Sequence, residues 1–281
     1  MISLLSLAAD KVADLLADDW RRMFGAREPQ LAEFVGSLAG LALERIGNSD
    51  ALFHDVQHTI LVTLVGRDIL RGRALAEAVS PGDWAHFIIA CLFHDVGYVR
   101  GVLQGDREPD FVADGTGRTV RLPRGASDAA LIRQHVDRSK LFIRERLGGS
   151  DLLDAERIAR AVEFTRFPVA ATPPDAETGT EAGLVRAADL IGQLGDPLYL
   201  RKANALYWEF EEAGINRELG YSSPADLVDR YPEFFWRKAS PFLQEAIAYL
   251  NVTVSGRQWI ANMHHHVFCA EHQFRLVGPQ R

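Results

Sequence analysis

The sequence LFHDV occurs twice in the chain, at Leu52–Val56 and at Leu92–Val96, and each copy carries an adjacent His-Asp pair. The residues that follow differ, because the first copy continues as an apolar stretch and the second reaches Gly97 and a polar segment. Repeat proteins keep their similarity over a fixed period, and no such period is visible here. We therefore interpret the two copies as different parts with different roles.

The first copy extends to a second histidine in LFHDVQH, so that His54 and His58 are four residues apart. In a helix this spacing places both side chains on one face. The same face continues through apolar residues, so we expect it to point inward, where an unpaired imidazole costs free energy. Either a metal ion or hydrogen bonds to the backbone would satisfy the two rings.

The second copy ends an apolar helical stretch with His94 next to Asp95. Neighbouring helical residues point about 100° apart, but at the end of a helix both side chains can reach one ion. Imidazole binds several transition metals, and a carboxylate can bridge two ions. Together with His54 and His58, these residues indicate a metal site built from helix ends.

Helices must position these residues, and helical periodicity dominates the chain. Ser80 followed by Pro81 is typical of a helix start, and we predict further caps at Ser127, Ser150 and Thr180. No alternating strand or hairpin turn stands out. The fold class is therefore predicted to be all-α. The predicted helical stretches are 2–24, 28–46, 51–72, 81–94, 131–147, 152–164, 181–194, 196–214, a short one after 222, 232–250 and 255–270.

Two segments interrupt the helical pattern, namely residues 98–126, rich in Gly, Asp and Arg, and residues 167–180, rich in Pro and Thr. Long loops inside compact domains are often functional. Because the first segment leaves directly from the second LFHDV, it is either a lid over the site or a solvated insertion.

Composition restricts the possible functions. The chain has 281 residues and a formal net charge of −7, which disfavours binding to a nucleic-acid polymer. Its two cysteines form no disulfide or zinc pattern, and its amphipathic start lacks the features of a signal peptide. No stretch reaches the ~18–20 apolar residues of a membrane span. We therefore predict a cytoplasmic protein with no membrane partner.

The histidine and aspartate motifs resemble those of the HD-domain superfamily of metal-dependent phosphohydrolases. In that family a histidine, an adjacent His-Asp pair and a distant aspartate bind metal within a helical bundle. LFHDVQHTILV is similar to the YHNxxHAxDV motif of class I cyclic-nucleotide phosphodiesterases, and residues 184–214 resemble their segment from ADLSNP to EFFxQG. The resemblance implies an HD-like bundle over about 50–215, with helices of 1–47 and 222–272 packed on it in a single domain, 1–281.

The resemblance also implies roles for individual residues. His54 would protonate the leaving oxygen, Asp95 would orient the attacking water, and His135 would lie near a second metal or the phosphate. One or two divalent ions would be bound, and the sequence does not distinguish Mg, Mn, Fe, Zn and Ni. The implied metal ligands are His58, His94, Asp95 and Asp189.

Three differences from the phosphodiesterases bear on the substrate. Tyr98 stands where they have a further histidine, Asp55 stands where they have asparagine, and only Gln244 and Gln258 are candidates for their purine-binding glutamine. We therefore predict a metal-dependent phosphohydrolase that acts on a nucleotide or another small anionic phosphate ester, and we do not predict specificity for cyclic nucleotides.

Two alternatives stay open. One is an HD-type di-iron oxygenase, which would need more histidine ligands than the one that His135 adds. The other is a non-catalytic helical protein that binds metal for stability or recognition.

The remaining histidines and aromatic residues are interpreted as structural. Consecutive residues cannot share one helix face, so His264–His266 are predicted to lie at the surface or to support a neighbouring group. His86 is interpreted as structural. The aromatic stretch 231–242 is predicted to be core or subunit interface, and a homo-oligomer is possible.

Overall fold

The computed structural model describes residues 3–167, 175–272 and 278–279. These residues form an all-α fold with one small antiparallel β-hairpin, which confirms the predicted fold class. The helices are α1 (Leu4–Phe24), α2 (Pro29–Ile46), α3 (Val56–Ala76), α4 (Pro81–Phe93), α5 (His135–Leu147), α6 (Ala155–Glu163), α7 (Asp175–Thr178), α8 (Glu181–Leu194), α9 (Tyr199–Glu212), α10 (Ile215–Leu219), α11 (Pro224–Asp229), α12 (Tyr231–Phe234), α13 (Gln244–Asn251) and α14 (Val254–Glu271). The strands are β1 (Asp110–Val112) and β2 (Thr119–Arg121).

Helix starts follow the capping signals at two of the predicted positions. The Ser80 hydroxyl accepts a hydrogen bond from the Asp83 N–H at 3.0 Å, with Pro81 in the first turn of α4. The Thr180 hydroxyl accepts from the Gly183 N–H at 3.1 Å and caps α8. Each cap satisfies one of the amide donors that a helix leaves free at its start, so both predictions are confirmed.

The other two caps differ from the prediction. Ser127 caps only a 3₁₀ turn, Asp128–Leu131, and α5 begins later, at His135. Ser150 caps no helix, because the Asp154 carboxylate accepts from two amide N–H groups of the first turn of α6. An aspartate directly before the helix outcompetes a serine several residues earlier, since the cap must sit at the first turn.

The start of α3 differs from the prediction, and of all such differences this one matters most for the site. We predicted a helix from just after Asp50, but α3 begins at Val56, with Asp55 as its N-cap. The Asp55 carboxylate accepts from the His58 N–H at 2.9 Å. His54 therefore precedes the helix, and the prediction that His54 and His58 share a helix face is wrong.

The core is continuous through the N-terminal, middle and C-terminal helices, from Val12 to Cys269. Helix α4 lies in its interior, since every residue from Trp84 to Phe93 is buried. A helix that is apolar on all sides is expected to be surrounded by other elements. Helices α2, α3, α6 and α8 pack around α4. The second LFHDV copy therefore ends inside the core.

Helices α3 and α8 approach each other closely. A Cβ atom on Gly192 would lie 2.8 Å from Val62 Cγ2 and 3.0 Å from Val62 Cα. Val62 lies one turn after His58 in α3, and Gly192 lies one turn after Asp189 in α8. The absence of a side chain at Gly192 thus brings the histidine of one helix toward the aspartate of the other.

The hairpin inside residues 98–126 was not predicted. Phe111 of β1 pairs with Val120 of β2, and each strand has only three residues, too few for an alternating pattern to stand out. Phe111, Leu122 and Leu131 form a small separate core under it. The segment is a folded insertion, and of its residues only Tyr98 lines the cavity at the histidine cluster.

The predicted helix over 232–250 is interrupted. A π-helical turn, Phe235–Ala239, and a 3₁₀ turn, Ser240–Phe242, separate α12 from α13, because Pro241 lacks the amide that a continuous helix requires. Tyr231, Phe235 and Phe242 are buried in the core, whereas Trp236 is half exposed. Of the predicted loop 167–180, residues 168–174 lie outside the described residues, and the described part contains the short helix α7. No helix of the described ranges has the length and apolarity needed to cross a membrane.

Candidate metal centre

Four side chains from three helices meet in the interior of the fold. His58 lies in the first turn of α3, His94 and Asp95 follow α4, and Asp189 lies in the middle of α8. His58 Nε2 lies 3.4 Å from His94 Nε2 and 3.2 Å from Asp189 Oδ1. Asp95 Oδ2 lies 3.0 Å from His94 Nε2 and 3.5 Å from His58 Nε2. The four residues whose ligand roles the resemblance implied are thus brought together.

The spacing of these atoms fits a single coordinated ion. Ligand atoms bonded at about 2.1 Å, with angles of roughly 90–110° between them, lie about 3.0–3.4 Å from one another. Asp95 Oδ2 is buried and has no well-aligned hydrogen-bond donor among the described residues, although His94 Nε2 is only 3.0 Å away. An unpaired buried carboxylate oxygen is costly. A cation at the centre of the cluster would remove this cost.

The hydrogen bond of His94 fixes which nitrogen faces the cluster. Its Nδ1–H donates to the Cys91 carbonyl at 2.8 Å. In the neutral ring Nε2 then carries a lone pair and no proton, and this lone pair faces Asp95 and Asp189. Only a bound cation or a second proton on the imidazole makes such an arrangement favourable.

The pKa of each carboxylate in the cluster lies below its usual value. Burial would raise the pKa of Asp95, but the imidazoles around it, His94 foremost, outweigh burial and hold this pKa well below its usual value. The pKa of Asp189 is lowered in the same way, against burial, by its bonds to His58 and His94. Two anionic carboxylates beside two imidazoles give a donor set whose charge matches a divalent cation.

A buried glutamate holds His54 next to this cluster. Glu209 of α9 accepts from the Phe53 N–H at 2.6 Å and from the His54 N–H at 3.2 Å. Its other oxygen accepts from His54 Nδ1 at 2.5 Å. Burial lowers the pKa of His54, but the Glu209 carboxylate more than offsets burial and raises this pKa to about 9. A ring nitrogen of His54 lies within 4.8 Å of donor atoms of His58 and Asp95.

Tyr98 lies between two imidazole rings. Its ring stacks on His54 with centroids 4.7 Å apart and on His135 with centroids 4.4 Å apart. His135 Nδ1 donates to the Ile132 carbonyl at 2.5 Å, and its Nε2 lies 3.7 Å from Asp95 Oδ1. Burial is the main cause that lowers the pKa of His135. A neutral His135 therefore faces the Asp95 oxygen that points away from His58 and His94.

A family model described as Npun_R2479-like matches residues 2–273 of the chain. The chain belongs to the Npun_R2479-like family. No curated protein and no solved structure gives a significant match. The family match runs from α1 to α14, so in this Npun_R2479-like protein the terminal helices belong to the same family unit as the histidine cluster.

Several residues considered from the sequence lie away from the centre of the Npun_R2479-like protein. Gln244 and Gln258 are exposed and do not line its cavity, so the suggestion that either binds a purine there is wrong. His266 is buried and its Nε2 donates to the Asp196 carbonyl at 2.9 Å, whereas His264 and His265 are exposed. These positions agree with the interpretation that the histidines of this tract lie at the surface or support a neighbouring group.

His86 also agrees with its structural interpretation. Its Nδ1 donates to the Gly82 carbonyl at 2.6 Å, and its Nε2 accepts from the Asp154 N–H at 2.8 Å. Both ring nitrogens are therefore satisfied within the fold, where they join the start of α4 to the start of α6.

Three residues of the site were missed in the sequence. Glu209 could have been noticed, because it lies three residues after Leu206 and one before Phe210 on the apolar face of α9, where a charge needs a partner. Arg186 and Gln193 line the same cavity of ≈ 50 Å³ as Asp189. Nothing in their local sequence distinguishes them from other polar residues of a helix.

Arg186 is a half-buried cation in this cavity. Its Nε donates to the Phe164 carbonyl at 2.9 Å, and its guanidinium lies over the rings of Phe164 and Phe242. Within the described residues it forms no ion pair with a carboxylate. Its pKa is lowered, mainly by burial. A guanidinium group is a suitable hydrogen-bonding partner for an anion.

Proposed function

We propose that this protein is a metal-dependent phosphoric ester hydrolase of the HD type, acting on a nucleotide or another small phosphate ester. The observation that carries the proposal is the convergence of His58, His94, Asp95 and Asp189 on one buried centre with coordination spacing. Arg186 adds a cation for a phosphate group in the same cavity.

These four residues would hold one divalent ion. The second oxygen of Asp95, Oδ1, lies 3.7 Å from His135 Nε2. These two atoms would contribute to a second ion if one binds. The mixture of imidazole and carboxylate favours Mn, Fe, Zn or Ni over Mg. When bound, such an ion polarises phosphate oxygens and lowers the pKa of a water molecule.

His54 is proposed as the proton donor to the leaving oxygen. It donates through Nδ1 to Glu209, and its raised pKa keeps a proton on the second ring nitrogen at neutral pH. Glu209 would position the ring and stabilise its charge, as a carboxylate does when it orients a catalytic histidine. Arg186 would hold the phosphate while the proton is transferred.

The test is a comparison of leaving groups in His54→Asn. We expect the variant to keep its metal but to hydrolyse alkyl phosphates roughly 10²–10⁴-fold more slowly, the usual effect of a positioned proton donor. Nitrophenyl phosphate should lose much less, since its leaving group needs little protonation. Equal slowing of both substrates would mean that His54 only packs, and loss of metal would make it a ligand.

Glu209→Gln tests the positioning role. The amide keeps the shape but removes the charge, so we expect unchanged metal content, a reduced kcat and a larger loss for alkyl than for nitrophenyl phosphates. Glu211→Gln, on the exposed face of the same helix, is the matched control and should leave these rates unchanged. If the two variants behave alike, Glu209 has no role in proton donation.

Oxygen dependence separates a hydrolase from the oxygenase alternative. Phosphate release should proceed at the same rate with and without oxygen, whereas turnover that requires oxygen would contradict the proposal.

We further infer a cytoplasmic location, because both cysteines, Cys91 and Cys269, are free and buried, as expected in a reducing compartment.

A further inference from the structure

A second cavity of ≈ 280 Å³ adjoins the smaller one at the metal centre. Phe167, Gln193, Phe210 and Phe234 line both cavities. The two cavities are therefore neighbours that share these four side chains. We call them together the recess, and His54, Asp95, His135 and Asp189 lie at one end of it. The volume of the larger part is close to the lower limit for pockets that bind small organic ligands, about 300 Å³.

One face of α8 connects the two ends. Arg186, Asp189 and Gln193 follow one another at spacings of three and four residues, so they lie along the same side of the helix. Asp189 and Gln193 are separated by about 6 Å along the axis, at ~1.5 Å per residue. A phosphate bound near Asp189 and Arg186 is therefore a few covalent bonds away from the larger cavity.

Among the described residues, five aromatic rings, three leucines and four polar or charged side chains line the larger cavity. Phe167 stacks on Phe210 with centroids 5.8 Å apart and an interplanar angle of 18°, and Tyr199, Tyr221 and Phe234 contribute further rings. Rings of this kind favour offset stacking or edge contacts with another flat ring. A purely aliphatic ligand would fill the volume without using this preference.

The charged residues of the cavity are already engaged or exposed. Arg230 donates to the Leu219 and Gly220 carbonyls and lies over the ring of Tyr221, and Glu233 pairs with Arg237. Lys238 is exposed. The interior of the cavity therefore suits an uncharged group better than an anion, and the half-buried cation of Arg186 lies in the smaller cavity.

We propose that the larger cavity binds a flat aromatic ring carried by the alcohol part of the phosphate ester substrate. This inference rests on the proposed function for the phosphate end of the recess. The ring would come either from a nucleobase or from another aryl group, since both offer the same stacking surface.

Substrate comparison tests the inference directly. We expect AMP or 1-naphthyl phosphate to have a KM at least about tenfold below that of ribose 5-phosphate, because stacking and burial of a ring are worth more than 1.4 kcal/mol, the equivalent of a tenfold change. A lower KM for AMP alone would identify the source as a nucleobase, and a lower KM for both would indicate general aryl recognition. Equal KM values for all three would overturn the proposal.

A variant that fills the larger cavity tests whether the ring binds there. Leu227 of α11 lines only the larger cavity, and Leu227→Trp should fill it. We expect the KM for AMP or 1-naphthyl phosphate to rise at least about tenfold and that for ribose 5-phosphate to stay unchanged. Leu227→Met conserves volume and is the matched control. If Leu227→Trp does not fold, Leu219→Trp, at a partly buried position that lines the same cavity, serves the same purpose.

Binding without turnover separates this inference from the proposed function. Adenosine and 1-naphthol carry no phosphate, and their binding to the complete protein can be followed by calorimetry. Binding that Leu227→Trp abolishes, without hydrolysis of any phosphate ester, would support the ring site and contradict the hydrolase. Hydrolysis of phosphate esters that is indifferent to the ring and to Leu227→Trp would support the hydrolase and overturn the ring site.

Discussion

The two histidines at the centre are oriented by contacts that leave Nε2 facing inward. His94 donates through Nδ1 to a backbone carbonyl, and the backbone of His58 is fixed by the cap on Asp55. A partner on Nδ1, as in His94, sets the tautomer and the direction of a metal-binding imidazole, whereas the cap on His58 positions only its backbone. Asp55, which had no role assigned from the sequence, thus positions His58 by starting its helix.

Metal content tests the ligands one by one. Protein without an affinity tag, purified without added metal, should contain about one equivalent of a transition metal, because four imidazole and carboxylate ligands converge on one centre. His94→Ala and Asp189→Ala should each lose most of it, measured by elemental analysis. His265→Ala, in the exposed histidine tract, is the control and should keep its metal. Full metal in both ligand variants would remove the site from this cluster.

At the scale of elements, the turn Val96–Tyr98 is attached to α5 by short contacts. The Gly97 N–H donates to the Ser139 hydroxyl at 2.8 Å, and this hydroxyl donates to the His94 carbonyl at 2.7 Å. A Cβ atom on Gly97 would lie 1.9 Å from the His135 carbonyl oxygen. Only glycine allows this approach, which keeps Asp95 and Tyr98 beside His135.

Gly97→Ala should therefore destabilise the protein and disturb the site. The added methyl group meets backbone atoms that cannot move separately, so we expect a loss of about 2–3 kcal/mol in the free energy of unfolding together with reduced metal affinity. Gly40→Ala is the matched control, because nothing lies within 4 Å of its added Cβ in α2. It should stabilise the protein by about 0.5–1 kcal/mol. Urea unfolding measures both changes.

The insertion that carries the hairpin depends on one buried ion pair. Arg138 of α5 donates to both carboxylate oxygens of Asp106 at 2.9 Å, and to the carbonyls of Gly97, Val99 and Val112. Burial would raise the pKa of Asp106, but Arg138 outweighs burial and lowers it. Because the folded pKa is below the unfolded one, the pair stabilises the protein above the unfolded pKa and loses this effect as pH falls.

Asp106→Asn should cost about 3 kcal/mol or more at neutral pH, since it leaves the Arg138 charge buried without its counterion. The difference between the wild type and the variant should stay constant above about pH 5 and shrink as pH falls below about 4, the usual pKa of an aspartate. Chemical unfolding at several pH values measures it. Asp110→Asn removes an exposed pair with Arg121 and should cost far less, because solvent screens an exposed ion pair. Equal costs for the two variants would contradict this account.

For the molecule as a whole, the proposed ligands join α3, α4 and α8, three of the helices that build the core. An ion that binds only the folded chain stabilises it by about 2.7 kcal/mol at a free concentration one hundred times its Kd. We therefore expect a chelator to lower the Tm by several degrees, followed by calorimetry, and added metal to restore it. His94→Ala should show no response to the chelator. The same response in wild type and variant would place the metal elsewhere.

Local signals in the sequence were sufficient for the helices and for some of their ends. Apolar spacing and the caps at Ser80 and Thr180 act within about four residues, so they can be recognised without tertiary structure. The same signals failed at Ser150 and at the start of α3, where Asp154 and Asp55 compete for the same role. Candidate caps closer to the first buried turn should therefore be preferred.

The sequence by itself determined the helical class and the types of residue that could bind a metal. Only the tertiary structure decided which aspartate completes the cluster and how His54 is held. Asp189 was assigned by resemblance alone, and its position depends on the close contact of Gly192 with Val62. Glu209 and His54 are 155 residues apart, and no local pattern reports a contact over such a separation. Helix formation depends on neighbouring residues, whereas the site depends on how the helices pack.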